Sequence, residues 1–255
     1  MKQSSATVVS NREISPNTYL MWVEATHIAT SAKPGQFLMV QCGHKHDLLL
    51  RRPFSIHRVS KKQVAFLFNV VGQGTQWLST RRKKDQLNLL GPLGKEFSIT
   101  PSACNILLVG GGTGIAPLVF LAEYAQSQGK STTLLLGAST GESLYPSSLI
   151  PHGITFVPIT EDGSQGRKGS VTDFVLEHQA QSDQVFTCGP ISMYKAMAAQ
   201  MQLLKKSVQV SLEVRMGCGF GICYGCTIRT RNGLRQVCKD GPIFALQDVL
   251  WDELY

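Results

Sequence analysis

The sequence predicts a multi-domain protein of α/β and β class, with an N-terminal antiparallel β-barrel, a central parallel α/β domain and a small C-terminal module. Short apolar runs separated by Gly, Pro and Lys fill the first 100 residues, which is typical of a small barrel. Strand and helix patterns then alternate as far as residue 206. Four of the seven cysteines lie between positions 218 and 238. We therefore expect domains over 1–100, 101–206 and 207–255.

The composition is that of a globular chain with few charges. Of 255 residues, 43% are apolar and 16% are charged, yet 25 Lys and Arg against 17 Asp and Glu leave a net charge of +8. An average domain has roughly 25% charged residues, so the sparse charge predicts that part of the surface is buried against a partner. The basic runs Lys61–Lys62 and Arg81–Lys84 are short and accompany no nucleic-acid-binding motif. We expect no nucleic-acid partner.

One long uncharged segment resembles a membrane span only in its length. Residues 97–122 carry no charge, and a span requires about 20 apolar residues. However, five of the eight residues from Gly110 to Pro117 are glycine or proline, which weakens a membrane helix badly. The start, MKQSSATVVS, has no apolar core after its single Lys. We therefore expect no membrane association, no secretory signal and a cytoplasmic location.

Six short strands are predicted before residue 100, with no long helical period between them. Turn residues interrupt their apolar runs at intervals that suit an antiparallel barrel. The predicted strands are Ala6–Val9, Thr18–Val23, Gln36–Val40, Arg52–Ile56, Gln63–Asn69 and Gln86–Leu89.

The central region alternates strands with helices, which is the pattern of a parallel sheet. Helix Ile115–Gln128 has apolar residues at helical spacing and Gly129 to end it. Ser170 and Asp173 have the spacing of a capping box that opens helix Val171–Ala180. Because ligands of such sheets bind beyond the carboxyl ends of the strands, this region is a candidate nucleotide site. The other predicted elements are strands Asn105–Val109, Thr132–Leu136, Ile154–Ile159 and Gln184–Thr187, and helix Ser192–Lys205.

The cysteine spacing is the most specific signal in the sequence. Cys218, Cys223 and Cys226 form a C-x4-C-x2-C pattern, and Cys238 follows after eleven intervening residues. This is the plant-type spacing of a [2Fe-2S] cluster, and the glycines between the cysteines let the backbone wrap closely around the thiolates. A structural zinc site is the alternative, although zinc ribbons usually use two close pairs and Cys238 has no neighbouring Cys.

A glycine-rich loop follows the first strand of the central domain. Gly110–Gly114 joins this strand to a helix, a context in which backbone amides and the helix N-terminus bind a pyrophosphate. Ile115 occupies the place of the last glycine of G-x-G-x-x-G, so the loop departs from the Rossmann fingerprint, and a glycine turn can also be only a tight connection. After the next strand, Gly137–Glu142 contains no Arg or Lys for a 2′-phosphate, which favours NAD over NADP.

Two shorter motifs lie in the barrel region. Arg51–Ser55 places an Arg beside a proline, an arrangement suited to bidentate phosphate binding. In isolation, this string is more typical of an exposed basic edge strand. Gly72–Thr75 in isolation is typical of a hairpin turn. Neither motif is specific by itself.

Taken in order along the chain, the motifs form a specific set. The set resembles the ferredoxin reductase-like flavoproteins, and within them it is similar to the electron-transfer subunits of NAD-dependent (class 1B) dihydroorotate dehydrogenases. The resemblance covers residues from about 5 to 246, nearly the whole chain. The motifs that carry it are Arg52–Ser55, Gly72–Thr75, Leu90–Gly94, Gly111–Pro117, Cys188–Pro190, the four clustered cysteines and the tail Val237–Phe244.

The resemblance implies three cofactor sites. Arg52 is expected to contact the FAD diphosphate and Ser55 the flavin ring, with Pro53 and Phe54 lining the isoalloxazine. Phe54 stands where the wider superfamily often has Tyr. The remaining expected residues are Leu67, Phe68, Asn69, Gly74 and Thr75 for FAD, Gly111, Gly112, Thr113, Gly114, Cys188, Gly189 and Pro190 for NAD, and Cys218, Cys223, Cys226 and Cys238 for the cluster.

Some positions depart from the family pattern or fall outside it. Phe68–Asn69 stands where many relatives have Tyr-Arg, which leaves open whether Asn69 supplies the missing FAD contact. No acid–base catalytic residue is expected. Cys188 is expected near the nicotinamide, although a buried free Cys is also an ordinary packing residue. Cys42 and Cys104 match no motif and are interpreted as packing residues.

The resemblance also implies a function in pyrimidine (UMP) biosynthesis, as an oxidoreductase subunit. A partner, the FMN-containing dihydroorotate dehydrogenase catalytic subunit, oxidises dihydroorotate to orotate. Its electrons pass singly through the [2Fe-2S] cluster to FAD, which delivers a hydride to NAD. The expected assembly is a heterotetramer with two copies of each subunit.

Two alternatives use the same residues. One is the flavin and iron–sulfur subunit of a sulfhydrogenase or of an NADH-dependent ferredoxin:NADP oxidoreductase complex, because these proteins share the cofactor motifs. The other belongs to a different class, a zinc-stapled nucleotide-binding regulatory protein. It predicts a colourless preparation, whereas a flavin with an iron–sulfur cluster predicts a brown-yellow one.

Overall fold

A closed barrel forms the N-terminal part of the molecule. The computed structural model describes residues 1–43 and 48–254. The first six strands are β1 Lys2–Ser15, β2 Thr18–Glu24, β3 Phe37–Val40, β4 Arg52–Ser60, β5 Gln63–Asn69 and β6 Gln86–Leu93. They pair antiparallel in the closed order β1-β2-β5-β4-β3-β6. Side chains alternate between the two faces of a strand, and every second residue of β6 is buried. The predicted barrel is confirmed.

A seven-stranded sheet forms the centre of the molecule. The remaining strands are β7 Asn105–Gly111, β8 Ser131–Ala138, β9 Thr155–Thr160, β10 Arg167–Lys168, β11 Gln184–Cys188, β12 Val208–Ser211, β13 Thr227–Thr230, β14 Gly233–Gln236 and β15 Ile243–Ala245. The sheet order is β10-β9-β8-β7-β11-β12-β15, with only the edge strand β15 antiparallel. The predicted parallel sheet is therefore confirmed. β13 and β14 form a separate hairpin.

The helices are short except for one that lies between barrel and sheet. The α-helices are α1 Thr26–Ser31, α2 Gln73–Ser79, α3 Ile115–Ser127, α4 Val175–Gln179, α5 Ile191–Ala199 and α6 Val237–Asp240. Single 3-10 turns cover Gly112–Gly114, Gly141–Ser143, Ser147–Leu149, Val171–Phe174, Leu246–Asp248 and Trp251–Glu253. α3 shares one apolar core with the sheet and with the barrel residues Leu20, Ala65 and Leu67. This contact explains why most of α3 is apolar. None of the described helices is long and apolar enough to cross a membrane.

The C-terminal segment is joined to the central sheet through strands and core. β12 continues the parallel sheet beside β11, and β15 pairs with β12. Val237 and Trp251 pack in the same apolar cluster as Val109 and Val185 of the sheet. A segment of about 50 residues has little core of its own, and this shared core supplies one. The predicted boundaries at 100 and 206 remain predictions.

Two predicted helices differ from the observed ones. Ser170 does open its segment, since its amide donates to the Asp173 carboxylate at 2.8 Å, but a 3-10 turn precedes α4 in place of one continuous helix over 171–180. The helix predicted to reach Lys205 ends at Ala199. There, the Leu203 carbonyl accepts a bond from Gln179 at 2.8 Å and Leu204 turns inward. Local i→i+3 turns, such as the bond from the Met201 amide to the Ala198 carbonyl at 3.1 Å, take the place of the last helical turns.

Three local interpretations are corrected by the structure. Arg52–Ser55 is no edge strand, because β4 lies between β3 and β5 in the closed barrel. Gly72–Thr75 opens α2 and forms no hairpin turn. Cys42 is buried as predicted, but Cys104 is exposed at the start of β7. There, the amide of Cys104 donates to the Asp183 carboxylate at 2.8 Å, outside the apolar run.

Candidate functional site

Two cavities lie where the barrel and the central sheet meet. The barrel cavity, of about 770 Å³, is lined by the start of β4, the end of β5, the first turn of α3 and residues 211–216. The sheet cavity, of about 640 Å³, lies beyond the carboxyl ends of β7, β8, β9 and β11. This is the predicted ligand position for a parallel sheet. Both volumes are typical of sites for small molecules and cofactors.

The barrel cavity brings together the residues that the sequence predicts for FAD. Gly74 is the one predicted FAD residue outside the lining, and it lies behind Arg52. A Cβ on Gly74 would be 3.4 Å from the Arg52 Nε atom, so the Arg52 side chain passes directly over this glycine. The predicted residues that line the cavity are Arg52, Pro53, Phe54, Ser55, Leu67, Phe68, Asn69 and Thr75.

The barrel cavity offers a cation at one place and an aromatic wall at another. The Arg52 guanidinium donates to the Leu50 carbonyl at 2.7 Å, which orients it. The ring of Phe54 stacks on Phe66 with centroids 5.2 Å apart and an interplanar angle of 21°. Guanidinium groups bind phosphate oxygens in a fork geometry, and aromatic walls suit a flat ring. The lining therefore fits the diphosphate and ring of a flavin nucleotide.

Thr75 shapes the cavity through the backbone. Its hydroxyl accepts a hydrogen bond from the Val71 amide at 2.9 Å and donates to the Gly72 carbonyl at 3.0 Å. These bonds fix the first turn of α2 beside the cavity. Asn69 accepts a bond from the Thr18 hydroxyl at 2.8 Å, so its side-chain oxygen is already engaged.

The sheet cavity is lined by the glycine loop and by the loop after β11. All four residues from Gly111 to Gly114 line it, together with Gly189 and Pro190. The N-terminus of α3 opens on this cavity, and its free amides and dipole favour an anionic group. Among the described residues of the lining, none is Lys or Arg, and Glu161 follows β9 at its rim. This lining favours NAD over NADP, since a 2′-phosphate would meet no cation.

The two loops of the sheet cavity are packed directly against each other. A Cβ on Gly114 would overlap the carbonyl oxygen of Cys188, and a Cβ on Gly111 would lie 2.8 Å from Cδ of Pro190. Only glycine fits at either position. The glycines here are therefore required by the neighbouring loop, in addition to any contact with a ligand.

Cys188 lies behind the loop and does not line the cavity. Its side chain is fully buried. Burial and the nearby Glu213 carboxylate raise the pKa of the thiol well above its usual value, so the thiol is neutral. Its neighbours Gly189 and Pro190 face the cavity in its place.

The two cavities share one wall. Leu67, Asn69, Thr113 and Glu213 line both of them. A ring bound in the barrel cavity and a ring bound in the sheet cavity therefore meet across these four residues. Hydride transfer requires such contact, with reacting atoms about 3–3.5 Å apart.

Glu213 is a residue that sequence reasoning missed. It follows β12 immediately after Ser211 and Leu212 and is accessible from both cavities. Its side chain is exposed at the cavity openings, and the desolvation that it does experience raises the pKa of its carboxyl. A lone carboxylate just beyond the carboxyl end of a buried strand was the signal that could have found it.

A buried histidine links the walls of the two cavities. His57 Nδ1 lies 2.9 Å from the Ala116 carbonyl oxygen, and Nε2 lies 2.9 Å from the Tyr145 hydroxyl. Burial lowers the pKa of His57 to about 3, so the ring is neutral and Tyr145 donates to it. Ala116 lines the barrel cavity and Tyr145 the sheet cavity. No motif in the sequence pointed to this contact.

The four clustered cysteines are brought together as two pairs. The Cys223 amide lies 3.5 Å from Cys218 Sγ, and the Cys238 amide lies 3.5 Å from Cys226 Sγ. Within each pair the thiols are also side-chain neighbours. Across residues 1–43 and 48–254, no three Cys, His, Asp or Glu side chains converge on a single-ion site. Two pairs of thiolates are the donor set of a binuclear [2Fe-2S] cluster, so the residues fit this group.

Backbone amides point at the sulfur atoms of this loop. The Gly221 amide donates to Cys238 Sγ at 3.1 Å, and the Ile222 amide to Cys218 Sγ at 3.4 Å. Partial burial raises the pKa of Cys218, but the amides outweigh it and lower the pKa to about 6. Amide donors of this kind favour thiolates and tune an iron–sulfur cluster.

Solved structures place the molecule in one class of oxidoreductase. A chain from the structure of an NADH-dependent reduced ferredoxin–NADP oxidoreductase superposes with a TM-score of 0.88 at 28% identity, covering 98% of this chain and 91% of that one. The ferredoxin reductase of carbazole 1,9a-dioxygenase shares the fold, with a TM-score of 0.68 at 21% identity over 81% of this chain and 66% of that one. The fold is thus that of the ferredoxin reductase-like proteins.

Sequence comparison identifies the family within this class. Residues 108–199 match the oxidoreductase NAD-binding domain, and residues 213–250 match the iron–sulfur cluster binding domain of dihydroorotate dehydrogenase B. The electron transfer subunit of dihydroorotate dehydrogenase B (NAD(+)) from Desulforamulus reducens is 37% identical, covering 98% of this chain and 99% of that protein. The corresponding subunit from Shouchella clausii is 35% identical over 98% of each chain. This chain belongs to the family of electron transfer subunits of dihydroorotate dehydrogenase B (NAD(+)), and a member of that family works with a catalytic partner subunit.

Proposed function

We propose that this protein carries electrons from an FMN-containing dihydroorotate dehydrogenase catalytic subunit to NAD. The successive cofactor sites are the cluster cysteines, the barrel cavity and the sheet cavity. The single observation that supports this most is the shared wall of the two cavities. This wall supports the proposal of a flavin site next to a nicotinamide site. The cysteine pairs on the C-terminal segment then provide the entry for electrons from the partner.

The chain's own residues bind and orient each group. Arg52 holds the FAD diphosphate, while Phe54 and Ser55 line the ring and Thr75 fixes the adjacent turn. When bound, FAD supplies the conversion between single electrons and a hydride. Gly111–Gly114 presents amides to the NAD pyrophosphate. Gly189 and Pro190 line the same cavity beside this loop.

The surface around the cysteine loop supports docking of the catalytic subunit. Ile222 and Tyr224 are each 69% exposed, and Phe220 beside them is 38% exposed. Clustered exposed apolar side chains mark interaction surfaces. Electron transfer requires the cluster to lie near the partner, and these three side chains surround it. Two copies of each subunit form the proposed assembly. The proposed location is the cytoplasm, and the seven free cysteines support it because thiols remain reduced there.

The decisive experiment is an absorption spectrum of the purified chain before and after NADH is added. We expect a brown-yellow protein with flavin and iron–sulfur bands, about two iron per chain and bleaching of the flavin band by NADH. Dihydroorotate should bleach it only when the catalytic subunit is present. A colourless protein that retains zinc would overturn the proposal and favour the regulatory alternative.

A second experiment tests the docking surface. Ile222→Glu introduces a charge into the exposed patch and should abolish co-purification of the catalytic subunit, while NADH oxidation with an artificial acceptor remains. The control is Leu234→Glu, because Leu234 is 63% exposed on the β13–β14 hairpin of the same segment. If both variants retain the partner equally, the docking surface lies elsewhere.

A further inference from the structure

One buried hydroxyl joins the loop of the sheet cavity to the strand that leads to the cluster cysteines. Tyr194 lies on α5 and is 1% exposed. The Gly189 amide donates to its hydroxyl oxygen at 2.9 Å, and the same hydroxyl donates to the Ser211 carbonyl at 2.6 Å. A phenol has one proton to donate, and this one is used on Ser211. The oxygen therefore links two backbone segments that belong to different parts of the chain.

The two linked segments line the two neighbouring cavities. Gly189 lines the sheet cavity, and Ser211 is the first residue of the run 211–216 that lines the barrel cavity. Glu213, two residues beyond Ser211, lies in the wall that the cavities share. The hydroxyl thus sets the separation between the loop at the nicotinamide end and the wall beside the flavin ring.

The surroundings hold the Tyr194 ring in one place. Trp251 packs on it with centroids 5.0 Å apart, and the Trp251 indole N–H donates to the Leu246 carbonyl at 2.8 Å. The Cys188 thiol lies within hydrogen-bonding reach of Tyr194 and of the Ser211 side chain. Burial raises the pKa of the Tyr194 hydroxyl well above its usual value, so the hydroxyl keeps the proton that it donates.

On these contacts we infer that Tyr194 is a positioning residue for hydride transfer between flavin and nicotinamide, acting through Gly189 and Ser211. The inference rests on the proposed function, since it names the residue that sets the distance within the proposed site. Packing alone explains a buried ring. It does not explain a hydroxyl that bonds to both cavity walls, since an unpaired buried polar group is costly and Phe would fill the same space.

The test is Tyr194→Phe in the full chain with its cofactors, with Tyr124→Phe as the control. Tyr124 is 44% exposed on α3. The measurements are the limiting rate of flavin reduction by NADH in stopped flow, the isotope effect with 4-deuterated NADH and the KM for NADH. We expect a limiting rate about tenfold lower and a larger isotope effect, with a KM for NADH within about threefold of the wild-type value. The reason is that reacting groups misplaced by about 1 Å can lower a reaction rate by about 100-fold.

Trp251→Phe separates positioning from packing. It loosens the ring contact while the Tyr194 hydroxyl stays, so it should lower the melting temperature and leave the limiting rate within about twofold. The inference is overturned if Tyr194→Phe retains the wild-type limiting rate, or if Trp251→Phe slows flavin reduction as much as Tyr194→Phe. If Tyr194→Phe loses its flavin, Trp251→Phe decides alone: a limiting rate within about twofold of wild type supports the inference, and a rate about tenfold lower overturns it. A wild-type flavin that NADH does not reduce contradicts the proposed function and not this residue's role.

Discussion

The cysteine loop and the loops of the sheet cavity are both rich in glycine, but for different physical reasons. In the cysteine loop, Gly219 and Gly221 have φ values of +83° and +89°, so the local backbone path itself requires glycine. Gly114 has an ordinary backbone conformation and is required because the Cys188 carbonyl occupies the space of a side chain. Local geometry specifies one loop, and tertiary contact specifies the other.

The largest effect should come from the cysteine loop. Cys223→Ser removes one of the four thiolates, and we expect iron to fall from about two per chain to nearly none. Cys223 is exposed, so the change removes a ligand with little loss of packing. The measurement is iron content together with the iron–sulfur absorption. Cys104→Ser, another exposed Cys, is the control, and equal iron in both variants would contradict the assignment.

The next effect should come from the contact between the sheet-cavity loops. Gly114→Ala drives a methyl group into the Cys188 carbonyl, so the loops must separate, which costs about 1–3 kcal/mol or more. We expect NADH oxidation to fall by about 100-fold, because the nicotinamide end is displaced. The control is Gly72→Ala, at a position where a Cβ meets nothing within 4 Å. The measurement is the steady-state rate of NADH oxidation with an artificial acceptor for both variants. A fully active Gly114→Ala chain would refute the close packing of the two loops.

A smaller effect should distinguish a constrained glycine of the cysteine loop from an unconstrained one. Gly219→Ala places a Cβ 2.5 Å from Met39 Cγ at a φ of +83°, and we expect about 1–2 kcal/mol of destabilisation. Gly225→Ala meets only Cys223 Sγ, at 3.6 Å, and should retain the wild-type stability. Thermal unfolding of the two variants checks this difference. Equal melting temperatures would show that backbone conformation does not govern this loop.

An effect of similar size, which appears only as pH falls, concerns the buried histidine between the cavities. Burial lowers the pKa of His57 to about 3 in the folded chain, against about 6.5 when unfolded. The unfolded state binds the proton first as pH falls. The contribution of His57 to the free energy of unfolding is therefore fully present above pH 6.5 and falls by about 1.4 kcal/mol per pH unit below it. Urea unfolding at pH 7 and pH 5 should therefore differ by about 2 kcal/mol. His57→Gln should show a shallower dependence, and an unchanged slope would contradict the assignment.

Where the signal in the sequence is local, the structure brings the predicted site residues together. The cysteine spacing alone indicated the four thiols that the structure arranges in two pairs. The Arg52–Ser55 string and the glycine loop indicated the two cavities once their order along the chain was considered. The helix end at Ala199 was missed because i→i+3 turns, such as the bond from the Met201 amide to the Ala198 carbonyl, follow it where the sequence pattern continues. Cys104 was misjudged because its burial depends on where β7 begins.

What the sequence determined by itself is the chemistry of each site: four cysteines at cluster spacing, an Arg followed by a proline, and a glycine turn before a helix. What only the tertiary structure decided is how these sites lie next to one another. Glu213, His57 and Tyr194 belong to no motif. Glu213 lines both cavities, and the other two residues hydrogen-bond to residues that line them. The physical reason is the separation along the chain of the residues in contact. Spacing along the chain encodes local backbone geometry, whereas contacts between segments far apart in sequence arise only when barrel, sheet and C-terminal segment pack together.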